Sequence, residues 1–486
     1  MVPLEVAVLG AGVAGLSSAL ALARDGHRVT LVERDELVLG DPSAALSWRR
    51  QGIPHFLQPH AFIPRGRREL RQSFPDVYQA LLNAGARDLD LRPKLPGRTQ
   101  PADEELAYLG VRRPLIEWAL RRAVMAVPSV RTLSGARALG LAAVPGDVPR
   151  IRGVATTAGT LEADLVVDAM GRRSPVPAWI AALGGTPLPE RSSECGIIYY
   201  CRYYRVRAGA SLRDGPWVPG PRADLGYGAF STFPGDNGTF AAVIAIPPGD
   251  QELKALRNAA AYDAAAATMP ALHAWTNADT ATPITDVLPM GSLQNVLRMP
   301  DSTRPPARSL VSVGDAICHT DPALALGLSF GLIHARALAH ALRDHAPDVD
   351  GAALAFYDAV RPEMEERFGL SSAIDAARAR RWAGEPVDIA HRDGGAYPLF
   401  TLLAGSAAAT VDPDVFRVVV RRNTFLDPLS ILDEDLAMQE RIERIFGRLS
   451  AERRPPPGPA RNDLLAAILA AVKAAHDDAA SPIASS

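Results

Sequence analysis

LEVAVLGAGVAGLSSALALARDGHRVTLVE, residues 4–33, decides the fold. A short apolar run at 4–9 reads as a buried strand. A helix rich in small residues follows from about Ala14 to Arg24, and a second apolar run occupies 29–32, which together make a β-α-β unit. Gly10, Gly12 and Gly15 stand between the first strand and the helix in G-x-G-x-x-G spacing, with Ala11, Val13 and Ala14 completing the loop. Gly10 permits the tight turn, Gly12 lets the backbone approach a pyrophosphate, and Gly15 allows close helix–strand packing; the helix N-terminus then faces phosphate charge. Glu33 ends the next strand 18 residues after Gly15, where a carboxylate can bind ribose hydroxyls and would repel a 2′-phosphate. Arg34 follows it at the same rim. The combination is specific for a dinucleotide, but it does not separate FAD from NAD.

The separating stretch is VSVGDAICHTDPALALGLSFG, residues 311–331. A strand ending in Gly314-Asp315 can aim a carboxylate at a polyol, and the ribityl chain of a flavin is one. Gly327 and Leu328 open the next helix, whose backbone N–H groups and positive dipole can face the flavin pyrimidine ring, where charge accumulates on reduction. The competing reading is a buried strand with an acidic helix cap.

On these motifs the chain resembles the group A flavoprotein monooxygenase superfamily over residues 4–345. It keeps Gly314, Asp315, Pro322 and Gly327 of that pattern but has Ala325 where the family has the first glycine of G-x-G. In RRPLIEWALRR, residues 112–122, Arg113 is similar to an arginine that approaches the cofactor's phosphates; a solvated arginine is the alternative. In ADLVVDAMGRRSPVPAW, residues 163–179, Asp168, Gly171, Arg172 and Ser174 resemble the second FAD-associated motif, spread out as D-A-M-G in the manner of flavin epoxidases. The segment GIPHFLQPHAFIPRGRREL, residues 52–70, resembles bacterial FAD-dependent oxidoreductases that include polyether-pathway epoxidases; it offers His60 as a substrate-side residue, with a packing histidine the favoured alternative.

The expected fold class is α/β, α+β overall: a Rossmann-like, GR2-type FAD domain with an inserted β-sheet substrate domain and C-terminal helices. The FAD domain comprises 1–186 and 306–350, discontinuous because strand-like alternation takes over at 187–305. Within that insertion the runs 228–233 and 239–246 flank PGDNG, a hairpin signal. The tyrosine-rich run 197–206 supplies Tyr199 and Tyr203, together with Tyr200 and Tyr204, as candidates to line a substrate cavity; alternate positions must face away. A helical region spans 351–450, a proline-rich linker 451–461, and a terminal helix and tail 462–486, with Leu464, Ile468 and Val472 on one face of the helix.

Composition narrows the function. The length of 486 residues calls for more than one core, and a formal charge of -2 gives no drive toward nucleic acid or anionic membrane. Cys195, Cys201 and Cys318 form no disulfide framework, and no apolar run is long enough for a membrane span, so a cytoplasmic location is expected. H-E-x-x-H, G-x-S-x-G and clustered Cys/His patterns are absent from the sequence. The resemblance implies a monooxygenase that epoxidises or hydroxylates a small-molecule substrate through a C4a-hydroperoxyflavin, in natural-product metabolism. NAD(P)H would supply electrons directly or through a separate flavin reductase. The alternatives are a flavin halogenase with Lys94 as the lysine in a plausible region, an isoprenoid-type reductase, and a cyclase that keeps FAD without redox use.

Overall fold

The computed structural model describes residues 2–212, 220–300, 304–393, 397–452 and 456–480. Its centre is a five-stranded sheet in the order Leu310–Ser312, Leu165–Asp168, Glu5–Leu9, Arg28–Glu33, Val130–Ser134, with every neighbouring pair parallel. A parallel sheet must be covered on both faces. The period of two in Glu5–Leu9 serves this: Val6 and Val8 enter a core with the helices, whereas Ala7 and Leu9 enter a second core. The helices on the first face are Val13–Arg24, Arg113–Met125 and Gly327–His345. The second face is covered by an antiparallel sheet of Ala138–Val144, Arg150–Thr156 and Gly159–Glu162, through Ile151 and Val154.

The stretch 44–101, which shows no hydrophobic period, contains the helices Pro64–Ser73 and Pro75–Asn83. The first is buried through ion pairs rather than an apolar stripe. Arg65 bonds Glu69 at 2.8 Å, Arg336 also reaches Glu69, and Arg67 bonds Asp88. Charged side chains fill the positions at which a periodicity reading looks for leucine.

Between 187 and 305 the chain forms a six-stranded sheet. Its main path is Arg222–Asp224, Ala229–Pro234, Thr239–Ile246, Ile198–Val206 and Ala281–Pro283, with Leu288–Met290 also pairing Ile198–Val206. The PGDNG hairpin is present, Ala229–Pro234 against Thr239–Ile246. The outer face is covered by the helices Ala259–Ala267 and Pro270–Thr276, and by the C-terminal helix Arg461–Ala480, which buries Leu464, Leu465 and Ile468 there. Arg461 clamps that helix to Asp250 at 2.8 Å and to Glu252 at 2.9 Å. A second sheet, Glu190–Glu194, Gln294–Arg298 and Cys318–His319, joins the insertion to the segment after Leu310–Ser312.

The helical region begins with Val349–Trp382, two residues before the expected 351, and this helix reaches from Gly327–His345 to the Gln294–Arg298 strand. The linker expected at 451–461 is partly helical, because Leu436–Ala451 enters it and Arg461–Ala480 starts at its last position. Its residues 453–455 and the tail 481–486 lie outside the described residues. Among the described residues no helix is long and apolar enough to cross a membrane.

Candidate active site

Two helix N-termini and three strand ends come together around Ala14, Ala169 and Asp315. The three glycines of the first loop differ in what a side chain would meet. A Cβ on Gly10, whose φ is +100°, would lie 2.6 Å from the Ala169 carbonyl oxygen, and one on Gly15 would lie 1.8 Å from the Gly10 oxygen. Both glycines are demanded by the protein's own packing. A Cβ on Gly12 would meet nothing closer than Arg113 Nη2 at 3.7 Å and Ile53 Cδ1 at 3.9 Å, and its φ of -77° is open to any residue. The protein's own packing gives Gly12 no reason to be glycine. The helix Val13–Arg24 has neither a side-chain cap nor an acidic residue in its first turn, so its N-terminal field is available to an anion. Val13 is buried in the core, and Ala14 is the point on which Gly314 and Gly331 close, 2.6 and 3.2 Å from it by the same construction.

Glu33 is buried and already partnered. Its Oε2 accepts the Ala11 N–H at 2.7 Å, its Oε1 accepts the Asp35 N–H at 2.9 Å, and Arg50 pairs with it at 2.5 Å. A carboxylate has further lone pairs, so ribose hydroxyls can still bind. Arg34 is exposed and donates to the Gln51 carbonyl at 3.4 Å, outside this network.

Arg113 opens the helix Arg113–Met125 and points back toward Gly12. Its Nε donates to Glu117 at 3.0 Å, and Nη1 faces His55 Nε2 at 2.8 Å and His60 Nε2 at 3.4 Å. His60 Nδ1 lies 2.7 Å from the Gln58 carbonyl and therefore carries the proton, leaving Nε2 as the acceptor. Burial, followed by the Arg113 charge, holds both imidazoles neutral: His55 falls well below its ordinary range and His60 to about 3. His60 thus lies beside Arg113, with its Nε2 turned to that guanidinium. Fully buried Glu117 is also held by Arg50 at 2.7 Å and Arg121 at 3.0 Å; these cations outweigh burial and keep it ionised. The adjacent Arg112 anchors the site to the inserted sheet. Its backbone N–H and guanidinium bind the fully buried Asp236 in the PGDNG turn, at 2.8 and 3.0 Å.

Asp315 sits in the turn after Leu310–Ser312, where Gly314 adopts φ +61°. Cβ atoms on Gly171 and Gly327 would lie 4.0 and 3.5 Å from Asp315, so the second motif, the acid and the next helix start are neighbours. Burial raises the Asp315 carboxyl, but the His319 contact at 3.1 Å and the Arg113 charge outweigh it and hold the group well below the carboxylate range. The helix Gly327–His345 has no side-chain cap and no acid in its first turn. Leu328 points its side chain into the core, so only its backbone can serve a ligand. Ala325 adopts φ +56° and ψ +30°, the left-handed conformation that glycine takes freely. The buried His334 supports this loop by accepting the Gly314 N–H at 2.8 Å.

Asp168 is buried and structural. It accepts the Met170 N–H at 3.0 Å and the Ser174 hydroxyl at 2.6 Å, closing the D-A-M-G turn, while Arg172 reaches the Ser292 carbonyl. On the inserted sheet, alternation sorts the four tyrosines. Tyr199 and Tyr203 share the face of Cys201, Val243 and Trp382 of the helix Val349–Trp382, whereas Tyr200 and Tyr204 pack under the outer helices, with Tyr204 stacked on Phe240 at 5.3 Å. Arg50, His55, Glu117 and His319 were not singled out by sequence reasoning. Arg50 and His55 stand in the arginine-rich stretch beside His60, and proximity to that motif is the signal that points to them.

Residues 5–174 match the family model "FAD dependent oxidoreductase". Protein Rv3254 of Mycobacterium tuberculosis is 26% identical over 482 residues, covering 92% of this chain and 96% of its own length. Among solved structures, PqsL from Pseudomonas aeruginosa, of the FAD-dependent monooxygenase type, shares 17% identity with a TM-score of 0.57, covering 78% of this chain and 98% of PqsL. The flavin-dependent brominase Bmp2 shares 15% identity with a TM-score of 0.51, covering 98% and 99%. The chain has the fold of these flavoenzymes.

Proposed function

We propose that this chain is an FAD-dependent monooxygenase acting on a small, largely apolar substrate. The observation that carries the reading is that a side chain at Gly12 would meet only ordinary contacts, yet glycine stands there at the uncapped N-terminus of Val13–Arg24, with Glu33 bonded to the Ala11 N–H and Asp315 beside the uncapped start of Gly327–His345. Bound there, FAD supplies two-electron redox chemistry and, once reduced, the capacity to activate molecular oxygen. The protein's own groups hold and orient it. Gly12, Ala11 and the start of Val13–Arg24 receive the pyrophosphate, with Arg113 adding positive charge; Glu33 takes ribose hydroxyls and Asp315 the ribityl chain. The N-terminus of Gly327–His345 faces the ring end, where negative charge develops. Tyr199, Tyr203, Cys201 and Val243 give the sheet an apolar wall with few polar groups, suited to excluding water from a reactive centre. Epoxidation of an alkene is the reaction we favour, with hydroxylation next, in secondary metabolism, with NAD(P)H or a separate reductase as electron source.

The Bmp2 likeness makes halogenation the second reading. Lys94 lines a cavity of about 470 Å³ with Arg87, Leu91, Leu212 and Trp275, and that lining shares no residue with the groups assigned to the cofactor, which disfavours a relay role. The test is chromatography of the heat-released cofactor, followed by turnover in labelled oxygen with and without bromide. FAD release and one labelled oxygen atom in the product are expected. Release of NAD alone, or halide-dependent product without the label, overturns the reading.

A further inference from the structure

Beside the loop that leads to Gly327, three elements bury an unusual group of charges. Asp321 precedes Pro322, Asp375 and Arg378 come from the helix Val349–Trp382, and Tyr199 comes from the inserted sheet. Arg378 Nη2 lies 2.8 Å from Asp321 and 2.7 Å from Asp375, so one guanidinium nitrogen is shared by two carboxyl groups. The Tyr199 hydroxyl donates to Asp321 Oδ1 at 2.5 Å. Asn295 donates to Asp375 at 2.7 Å and accepts the Asp321 N–H at 2.8 Å; Ser371 bonds the same Asn295 oxygen. Asp321 and Asp375 are 1% and 2% exposed.

Charge counting decides the protonation state. Among the described residues Arg378 is the one cation paired with these carboxyls, and two buried carboxyls whose oxygens lie within 4.8 Å of each other do not both ionise against one counter-charge. The remaining titratable neighbours are Tyr199 and Cys195, both pushed up by burial and so neutral. Burial and then the Asp321 charge push Asp375 up to about 8, while Arg378 outweighs burial and holds Asp321 below the usual range. The ligand atoms of Cys195, Asp321 and Asp375 lie within 4.8 Å of one another, but the Arg378 guanidinium already supplies the cation there.

We propose that Asp321 and Asp375 share one proton at neutral pH and that this acid pair, with Tyr199 as its outlet, is the proton store for flavin oxidation at the neighbouring loop. The outlet rests on the flavin reading; the shared proton does not. Oxidation of an anionic reduced flavin by oxygen consumes a proton: reduced flavin gives up two electrons and its own proton, O2 takes both electrons, and one further proton completes hydrogen peroxide. A site that excludes water must deliver that proton through its own groups. The Asp375 O–H bond breaks and its proton passes to Asp321; the Tyr199 hydroxyl, which donates to Asp321 at rest, turns toward the reduced oxygen and gives up its proton there as its own oxygen takes the proton from Asp321. The carboxylate left behind is held by Arg378 and regains a proton from solvent.

Infrared spectroscopy of the full chain in H2O and D2O reads the store without any cofactor. The wild type should show a protonated carboxyl band at neutral pH that shifts in D2O and vanishes as the pH passes about 8. The band should be absent from Asp375→Asn and retained by Tyr199→Phe. No such band in the wild type overturns the shared proton. The outlet is read by reducing the FAD-loaded enzyme with dithionite and mixing it with oxygen across the pH range. Tyr199→Phe should slow flavin reoxidation by roughly 10²-fold below pH 8 with unchanged FAD affinity. Wild-type reoxidation in both variants, or failure of the wild type to bind FAD at all, overturns the outlet. In the second case the infrared band still stands and marks the flavin reading as the part that failed.

Discussion

Replacing Gly12 by alanine tests the division of labour among the three loop glycines. The added Cβ meets nothing closer than 3.7 Å, and the backbone there, at φ -77°, suits an L-residue. Folding stability should therefore change by no more than about 1 kcal/mol, the scale of a helix-cap substitution. The cofactor-binding cost is larger, because the methyl group occupies the space assigned to the pyrophosphate. Losing one charge-assisted hydrogen bond costs about 1.5–3 kcal/mol, or roughly 10- to 150-fold in affinity. Gly15→Ala is the control, since its Cβ would sit 1.8 Å from a backbone oxygen and force helix and strand apart. That variant should lose about 3 kcal/mol or more of stability, the upper range of overpacking effects. Thermal unfolding of the apoprotein and titration with FAD, followed by flavin fluorescence, separate the two properties. A Gly12→Ala protein that unfolds as readily as Gly15→Ala, or that binds FAD as tightly as wild type, refutes the assignment of that space to phosphate.

Ala325→Gly should raise stability by up to about 1 kcal/mol, because alanine at φ +56° carries a left-handed penalty that exceeds glycine's added entropy; chemical denaturation measures it. Asp236→Ala should cost about 3–5 kcal/mol by leaving the buried Arg112 unpaired, and a melting temperature equal to wild type would show that the hairpin anchor is dispensable. Asp375 gives a pH-dependent stability with a definite sign. Between the ordinary aspartate range and about 8 the folded chain holds a proton that the unfolded chain has released, so stability falls as pH rises, and the slope ends above 8. Relative to Asp375→Asn, wild type should lose up to about 1.4 kcal/mol per pH unit across this window, and parallel denaturation curves at all pH values would contradict it.

The dinucleotide loop was legible because its information is local. Strand, glycine turn, helix and acidic strand end are contiguous, and the backbone geometry each glycine supplies depends on its immediate neighbours. The same holds for the Gly314-Asp315 turn and the PGDNG hairpin, where residue types encode a turn a few bonds away. The tyrosine alternation was half legible: a period of two separates Tyr199 and Tyr203 from Tyr200 and Tyr204, but does not say which face meets the flavin domain. The helix Pro64–Ser73 left little apolar signature, since it is buried largely through Arg65, Arg67 and Glu69, whose partners lie partly elsewhere in the chain, whereas Pro75–Asn83 buries Val77 and Leu81 at i,i+4 spacing.

By itself, then, the sequence determined the parallel core with its glycine turn and the places of Glu33 and Asp315 at or just after strand ends. Only the tertiary structure decided which charges neutralise one another. Asp236 reaches Arg112 across 124 positions, Tyr199 reaches Asp321 across 122, and Arg378 of the helix Val349–Trp382 reaches the same Asp321. A buried charge is tolerated where a partner is brought to it in space, and spacing along the chain carries no record of partners contributed by separate layers of the fold.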